Sequence, residues 1–324
     1  MSKLDASAVD LRAPFGSLTL KNPILTASGT FGYAQEFAQV TDLSKLAGIA
    51  TKGISPRPRF GNPVPRACET ASGMINSIGL ENVGLAGYRE LKAPYLAALD
   101  GVIVVNFFGE TFDEYVECAA GLDAIAREVG GVDVLEMNIS CPNIKKGGVE
   151  FGTVPSVAGD LVRACRAVTD LPMWIKLTPN ITDIVALARA VVEAGADGLS
   201  IINTITAMGI DIRSRRPRIA TVFGGLSGPA IKPIALRMVY QVARAGLGVP
   251  ICGMGGISTA EDVIEFLIAG ASAVQVGTLN FADPNRAASL VDEVASLAAE
   301  LGVERVADLV GTLRTTVEPI CPGP

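Results

Sequence analysis

Histidine is absent from all 324 residues of this chain. The commonest general base and the commonest nitrogen ligand for a metal are therefore both excluded, and proton transfer falls to Cys, Lys, Asp, Glu or Tyr. Charge is scarce too, at 19% of residues with a formal net charge of -6, which disfavours nucleic acid as a partner. Arg213, Arg215, Arg216 and Arg218 form the only dense basic cluster and belong to one loop. No run of 18 apolar residues occurs: the most hydrophobic helical segment, 184–196, carries Arg189 and Glu193, and Asp5 and Asp10 stand where a signal peptide would be apolar. A soluble cytoplasmic protein that spans no membrane is expected. The six cysteines, at positions 68, 118, 141, 165, 252 and 321, include no CxxC pair. They suit a reducing compartment and supply neither a disulfide framework nor an iron–sulfur or zinc site. No strand-linked GxGxxG and no phosphate-binding GxxxxGK loop are present, so a dinucleotide fold and a P-loop drop out.

What remains is 49% hydrophobic sequence, enough to bury one large core. Short β-rich runs recur along it at Pro23–Ala27, Gly48–Thr51, Val102–Val105, Val132–Met137, Met173–Ile175, Gly198–Ile202, Val249–Gly253 and Ala273–Val276. Between them lie segments of helical periodicity, at Phe112–Val129, Val157–Val168, Ile184–Ala194, Ile234–Ala245 and Ala260–Ala269. Eight strands alternating with helices predict an α/β fold, a (β/α)8 TIM barrel forming one domain over residues 1–324. Residues Val9–Leu20, with Phe15-Gly16 as the turn, read as an N-terminal β-hairpin closing the barrel bottom. There is no linker, low-complexity segment or internal repeat beyond the alternation itself.

Such barrels build their sites at the carboxyl ends of the strands, and here every end is chemically marked. In order stand Ser28-Gly29-Thr30, Lys52-Gly53, Asn106, Asn138 with Cys141, Lys176, Asn203-Thr204, Gly255-Gly256 and Gly277-Thr278. One Asn after a strand is usually a turn residue, but three asparagines and two lysines at equivalent ends are poorly explained that way. The glycines after strands seven and eight lie where these barrels hold a phosphate against backbone N–H groups. With Gly225-Leu226-Ser227-Gly228 they suit a nucleotide-like cofactor. Asparagine amides suit a planar heterocycle of alternating C=O and N–H groups, and Lys176 would neutralise charge on a reduced ring, a combination that describes flavin mononucleotide (FMN) better than a metal centre. Asn138-Ile139-Ser140-Cys141-Pro142-Asn143 ends an apolar run with polar groups and one thiol. Cys118, Cys165 and Cys252 read as buried structural cysteines, whereas Cys141 is placed to react. Lys145 and Lys146, which follow it, read as part of a solvated loop.

These residues carry a family resemblance that runs nearly end to end. The segments Ala27-Ser-Gly-Thr-Phe-Gly32, Arg59-Phe-Gly-Asn-Pro-Val-Pro-Arg66, Gly73-Met-Ile-Asn-Ser-Ile-Gly-Leu80, Asn138 to Asn143, Thr221-Val-Phe-Gly-Gly-Leu-Ser-Gly-Pro-Ala-Ile-Lys-Pro233 and Gly253-Met-Gly-Gly-Ile257 resemble the class 1 dihydroorotate dehydrogenases. Within that class the chain looks most like the catalytic subunits of subclass B. The resemblance implies oxidation of (S)-dihydroorotate to orotate in pyrimidine (UMP) biosynthesis, with Cys141 as general base. It implies that Ser28, Thr30, Lys52, Gly53, Asn106, Asn138, Lys176, Ile202, Gly228, Gly255, Gly256, Gly277 and Thr278 hold FMN. It implies a pyrimidine site of Lys52, Asn76, Ser77, Ile78, Gly79, Leu80, Asn138, Asn203 and Thr204. It further implies a partner subunit carrying FAD and a two-iron, two-sulfur (2Fe-2S) cluster, which passes electrons to NAD, around a homodimeric core within a heterotetramer.

Two departures from the family pattern stand out: Glu81-Asn82-Val83 where Gln-Asn-Pro is frequent, and Thr221-Val-Phe where Asn-Lys-Thr is usual. Alternatives are a fumarate-using subclass A homodimer, another flavin barrel acting on a pyrimidine, and a non-catalytic barrel that binds a phosphorylated ligand. The continuation Lys145-Lys146-Gly-Gly-Val-Glu-Phe-Gly152 favours subclass B.

Overall fold

A computed structural model describes residues 4–140 and 151–315. Eight strands, β1 (Ile24–Thr26), β2 (Gly48–Ala50), β3 (Val102–Phe107), β4 (Val134–Asn138), β5 (Met173–Lys176), β6 (Gly198–Ile201), β7 (Ile251–Met254) and β8 (Ala273–Val276), close into a barrel in sequence order. Every neighbouring pair is parallel, β8 returning to β1 through Gln275 opposite Leu25. The expected (β/α)8 barrel is thus the observed one. The main difference lies at the strand ends: Asn106, Asn138 and Lys176, read as following their strands, still belong to them, because Asn138 pairs with Lys176 and Asn106 with Glu136 in the ladder.

Side chains alternate across each strand, and the alternation divides the core in two. Ile49, Ile103, Val105, Leu135, Met137, Ile175, Leu199, Ile251 and Val274 pack outward against the helices. Leu25, Ala50, Val104, Val134, Trp174, Cys252 and Ala273 cluster inside. The hairpin, Ala13–Phe15 with Leu18–Leu20 joined through Gly16-Ser17, plugs this inner layer from below. Phe15 lies 4.3 Å from the Trp174 ring, and a Cβ on Gly198 would fall 2.8 Å from Phe15 and 2.9 Å from Trp174, so the aromatic pair occupies the space a β6 side chain would need.

The helices α1 (Phe112–Glu128), α2 (Pro155–Arg166), α3 (Ile184–Glu193), α4 (Lys232–Arg244), α5 (Ala260–Ala269) and α6 (Arg286–Glu300) form the outer ring. The first five agree with the sequence periodicity to within two residues. The connection from β1 to β2 is not an α-helix but a compact loop ending in a 3-10 turn at Leu43–Lys45, in which the stacked rings of Phe31 and Phe37 turn into the core. Helix α5 starts with a capping box: the Thr259 hydroxyl accepts from the Asp262 N–H, and the Asp262 carboxylate accepts from the Thr259 N–H at 3.0 Å. Replacing Thr259 with Ala is expected to cost about 1 kcal/mol, read as a lower urea midpoint at unchanged m-value.

Beyond the barrel a four-stranded antiparallel sheet is assembled from two distant insertions, in the order Ile205–Met208, Phe223–Ser227, Gly73–Asn76, Ala67–Thr70. Both insertions leave carboxyl ends of strands, β2 and β6, so this sheet caps the mouth. Strand reading from the sequence had no element here.

Candidate functional site

The inward positions nearest the carboxyl ends carry polar groups in place of the apolar layer below. Glu136 stands at their centre, fully buried on β4. Its Oε1 accepts from Ser200 Oγ at 2.6 Å and Gln275 Nε2 at 2.7 Å, and its Oε2 accepts from Asn106 Nδ2 at 2.7 Å, with the Lys176 ammonium 3.7 Å away. Burial pushes the carboxyl pKa up, but the Lys176 charge and the three donors more than offset that and hold Glu136 below the usual carboxylate value. The acceptor-only carboxylate also settles the Asn106 amide, whose Nδ2 must face it. The Asn106 Oδ1 then lies beside Gly53, where a Cβ would come within 2.8 Å of it. Sequence reading missed Glu136, and the signal was parity: it sits two residues before Asn138, on the same face of β4, as Gln275 sits two before Gly277 on β8.

Above this layer the two halves of the mouth meet. Asn203 Nδ2 donates to Asn138 Oδ1 at 3.3 Å, and that oxygen also accepts from the Ser140 N–H at 3.1 Å. The Ser140 hydroxyl donates to the Lys176 carbonyl at 3.1 Å, and Tyr115 donates to the Asn138 carbonyl at 2.8 Å. The chain therefore leaves β4 held against β5. Cys141 is the next residue and lies outside the described residues, as do Lys145 and Lys146. Thr204 takes the Asn203 Oδ1 on its N–H at 2.8 Å, and Ile202 is buried beneath them. Lys52 follows β2 on the inward parity of Ala50; it is half-buried and forms no ion pair among the described residues.

At the ends of β7, β8 and β1 backbone amides gather. Among the described residues none of the N–H groups of Gly255, Gly256, Gly277 and Thr278 has an acceptor. Gly256 lies against Gly228, whose carbonyl would be 2.8 Å from a Cβ there. Thr278 donates to Ser227 at 2.8 Å, and the Thr30 hydroxyl donates to the Ala27 carbonyl at 3.0 Å while accepting from Asn280 at 3.3 Å. Ser28 is half-buried beside them. Unpartnered amides in a glycine-rich cluster fit a phosphate, and the neighbouring amide and lysine groups fit the edge of a planar heterocycle.

The segment from Asn76 to Leu80 closes the remaining side as the end of a cap strand. Asn76 Nδ2 donates to the Gly225 carbonyl at 3.4 Å, and Asn62 clamps the rest, its N–H to the Ile78 carbonyl at 2.9 Å and its Nδ2 to the Ser77 hydroxyl at 2.9 Å. Gly79 has φ 78°, and a Cβ would strike the Asn62 N at 2.4 Å, so only glycine fits. Leu80 holds φ 57°, a rare state for a branched side chain, with its carbonyl fixed by Asn82 at 2.9 Å. Glu81, a departure from the family pattern, pairs with Arg66 at 2.5 Å. The other departure, Thr221-Val222-Phe223, is exposed and leads into the cap sheet, where Phe223 pairs with Met208.

Other candidates fall away on physical grounds. Burial pushes the thiols of Cys118 and Cys252 far up and that of Cys165 to about 12, so these three are structural. A cavity of about 250 Å³ lined by Leu199, Val249, Pro250 and Ser272 lies at the amino ends of the strands and carries no ionisable side chain.

Geometry thus defines a (β/α)8 barrel whose mouth joins an amide cradle to a polar, lysine-bearing floor. A dihydroorotate dehydrogenase family model matches residues 11–297, and the chain belongs to that family. It is 52% identical over 304 residues to the dihydroorotate dehydrogenase B (NAD(+)) catalytic subunit of Pelobacter propionicus, covering 94% of this chain and 98% of the relative. Proteins of the same description from Trichlorobacter lovleyi and Halalkalibacterium halodurans are 53% and 52% identical, over 92% and 91% of this chain and 96% and 95% of their own lengths.

Proposed function

We propose that this chain is the catalytic subunit of an NAD-linked dihydroorotate dehydrogenase, oxidising (S)-dihydroorotate to orotate in pyrimidine biosynthesis with FMN as its cofactor. One observation carries the reading: a half-buried lysine, Lys52, with no ion pair among the described residues, stands in a mouth of asparagine amides that also holds a cluster of glycine N–H groups without acceptors among those residues. The first suits a substrate carboxylate, the second a pyrimidine, the third the cofactor phosphate. Gly255, Gly256, Gly277, Thr278 and Gly228 would hold the phosphate, with Ser28, Thr30 and Ile202 around it. Asn106, Lys176, Gly53 and Asn138 would face the ring.

Bound FMN supplies hydride acceptance from ring carbon 6. The protein supplies the remainder: Lys52 anchors the carboxylate, and Asn76, Asn138, Asn203 and Thr204, with the Ser77–Leu80 backbone, fix the ring in one pose. Cys141 takes the proton from carbon 5, so loss of that proton and of hydride leaves the carbon 5–carbon 6 double bond of orotate. Lys176 offsets the negative charge that arrives with the hydride.

The relatives are named catalytic subunits, which supports a partner subunit; in the proposed reading that partner carries FAD and a 2Fe-2S cluster and passes electrons onward to NAD. No helix among the described residues is long and apolar enough to cross a membrane. The purified chain is expected to hold one FMN and to bleach with dihydroorotate, yet to turn over slowly with NAD until a cluster-bearing subunit is added. Rapid NAD reduction by the flavin-only chain would refute the two-subunit reading, rapid fumarate reduction would assign the homodimeric subclass, and a colourless protein would remove the flavin.

A further inference from the structure

A fully buried carboxylate inside a barrel is costly, and Val or Leu would fill the same position without that cost. Glu136 nevertheless occupies it, with partners drawn from four other strands: Asn106 of β3, Lys176 of β5, Ser200 of β6 and Gln275 of β8. Lys176 has no other carboxylate partner among the described residues. Glu136 is level with Trp174, and Lys176 is level with Asn138, two residues nearer the mouth. The ammonium and the carboxylate form a buried pair 3.7 Å apart among the inward polar groups near the strand ends.

We propose that Glu136 is a positioning residue that pins the Lys176 ammonium and the Asn106 amide under the flavin and, by countering the lysine charge, holds the flavin reduction potential down. The inference rests on the functional reading above and deepens it. Lys176 alone would favour the anionic reduced ring; with the carboxylate behind it the floor is electrically neutral overall. Electrons are then held less tightly and pass onward more readily. The same carboxylate turns the Asn106 Oδ1 away from the floor, so that Asn106 offers an acceptor to a ring N–H.

The test is the midpoint potential of FMN bound to the purified protein. Glu136→Gln is expected to raise the preference for reduced over oxidised FMN roughly tenfold, about 30 mV more positive for a two-electron couple. Glu136→Asp, which keeps the charge, is expected to stay within about threefold of wild type. An unshifted or lowered potential in Glu136→Gln would overturn the inference, since a merely structural residue would change stability and leave the potential alone. Should Glu136→Gln fail to fold, Lys176→Met is compared with the double variant Glu136→Gln/Lys176→Met. The double variant is expected about tenfold higher in that preference, and equal potentials would overturn the proposal. Wild-type protein that bound no FMN would sink the functional reading and this inference with it, whereas flavin-loaded wild type beside an unshifted Glu136→Gln sinks the inference alone.

Discussion

Replacing Cys141 with Ala is expected to slow flavin reduction by dihydroorotate about 100-fold or more, the scale of a lost general base, while FMN stays bound. No histidine exists to take over the proton. The buried cysteines cannot do so either, because burial holds the thiols of Cys118, Cys165 and Cys252 protonated. Ser140, tied to Lys176 and Asn138, delivers the chain to the mouth one residue before Cys141. Cys141→Ser is expected to keep a little activity with its pH optimum moved upward, since a hydroxyl is a weaker acid than a thiol of ordinary pKa near 8.5. Stopped-flow absorbance of the flavin after mixing with dihydroorotate is the measurement; an Ala variant that bleaches at the wild-type rate ends the assignment.

Lys52→Ala is expected to weaken orotate binding by roughly 2–4 kcal/mol, because a carboxylate drawn into a half-enclosed mouth loses its charged partner. Lys176 and Lys232 each have a carboxylate within reach, while Lys52 has none among the described residues and so is available to an incoming anion. Its backbone is held independently, by its N–H to the Gly32 carbonyl at 2.9 Å, so truncating the side chain leaves the strand end in place. Titration of the flavin spectrum with orotate reads the affinity directly. A wild-type dissociation constant in the variant would move the carboxylate anchor elsewhere.

The eight barrel strands and five of the helices were legible because their signals are local. A strand buried on both faces reads as a short apolar run, and a helix shows its buried stripe every three to four residues. The polar strand ends were legible for the same reason, since Lys52, Asn106, Asn138 and Lys176 each interrupt such a run. The family resemblance added Asn76 to Leu80, which periodicity leaves as loop. Tertiary structure alone decided two things. The cap sheet joins Gly73–Asn76 to Phe223–Ser227, strands about 150 residues apart whose short, glycine-containing sequences carry no strong pattern until they pair. Glu136 draws its partners from residues 30 to 139 positions away, so in the linear sequence it is a lone charge within an apolar strand. Only closure of the barrel brings Asn106, Lys176, Ser200 and Gln275 together around it. A buried carboxylate is tolerable only with such partners, so its meaning belongs to the fold and not to the strand that carries it.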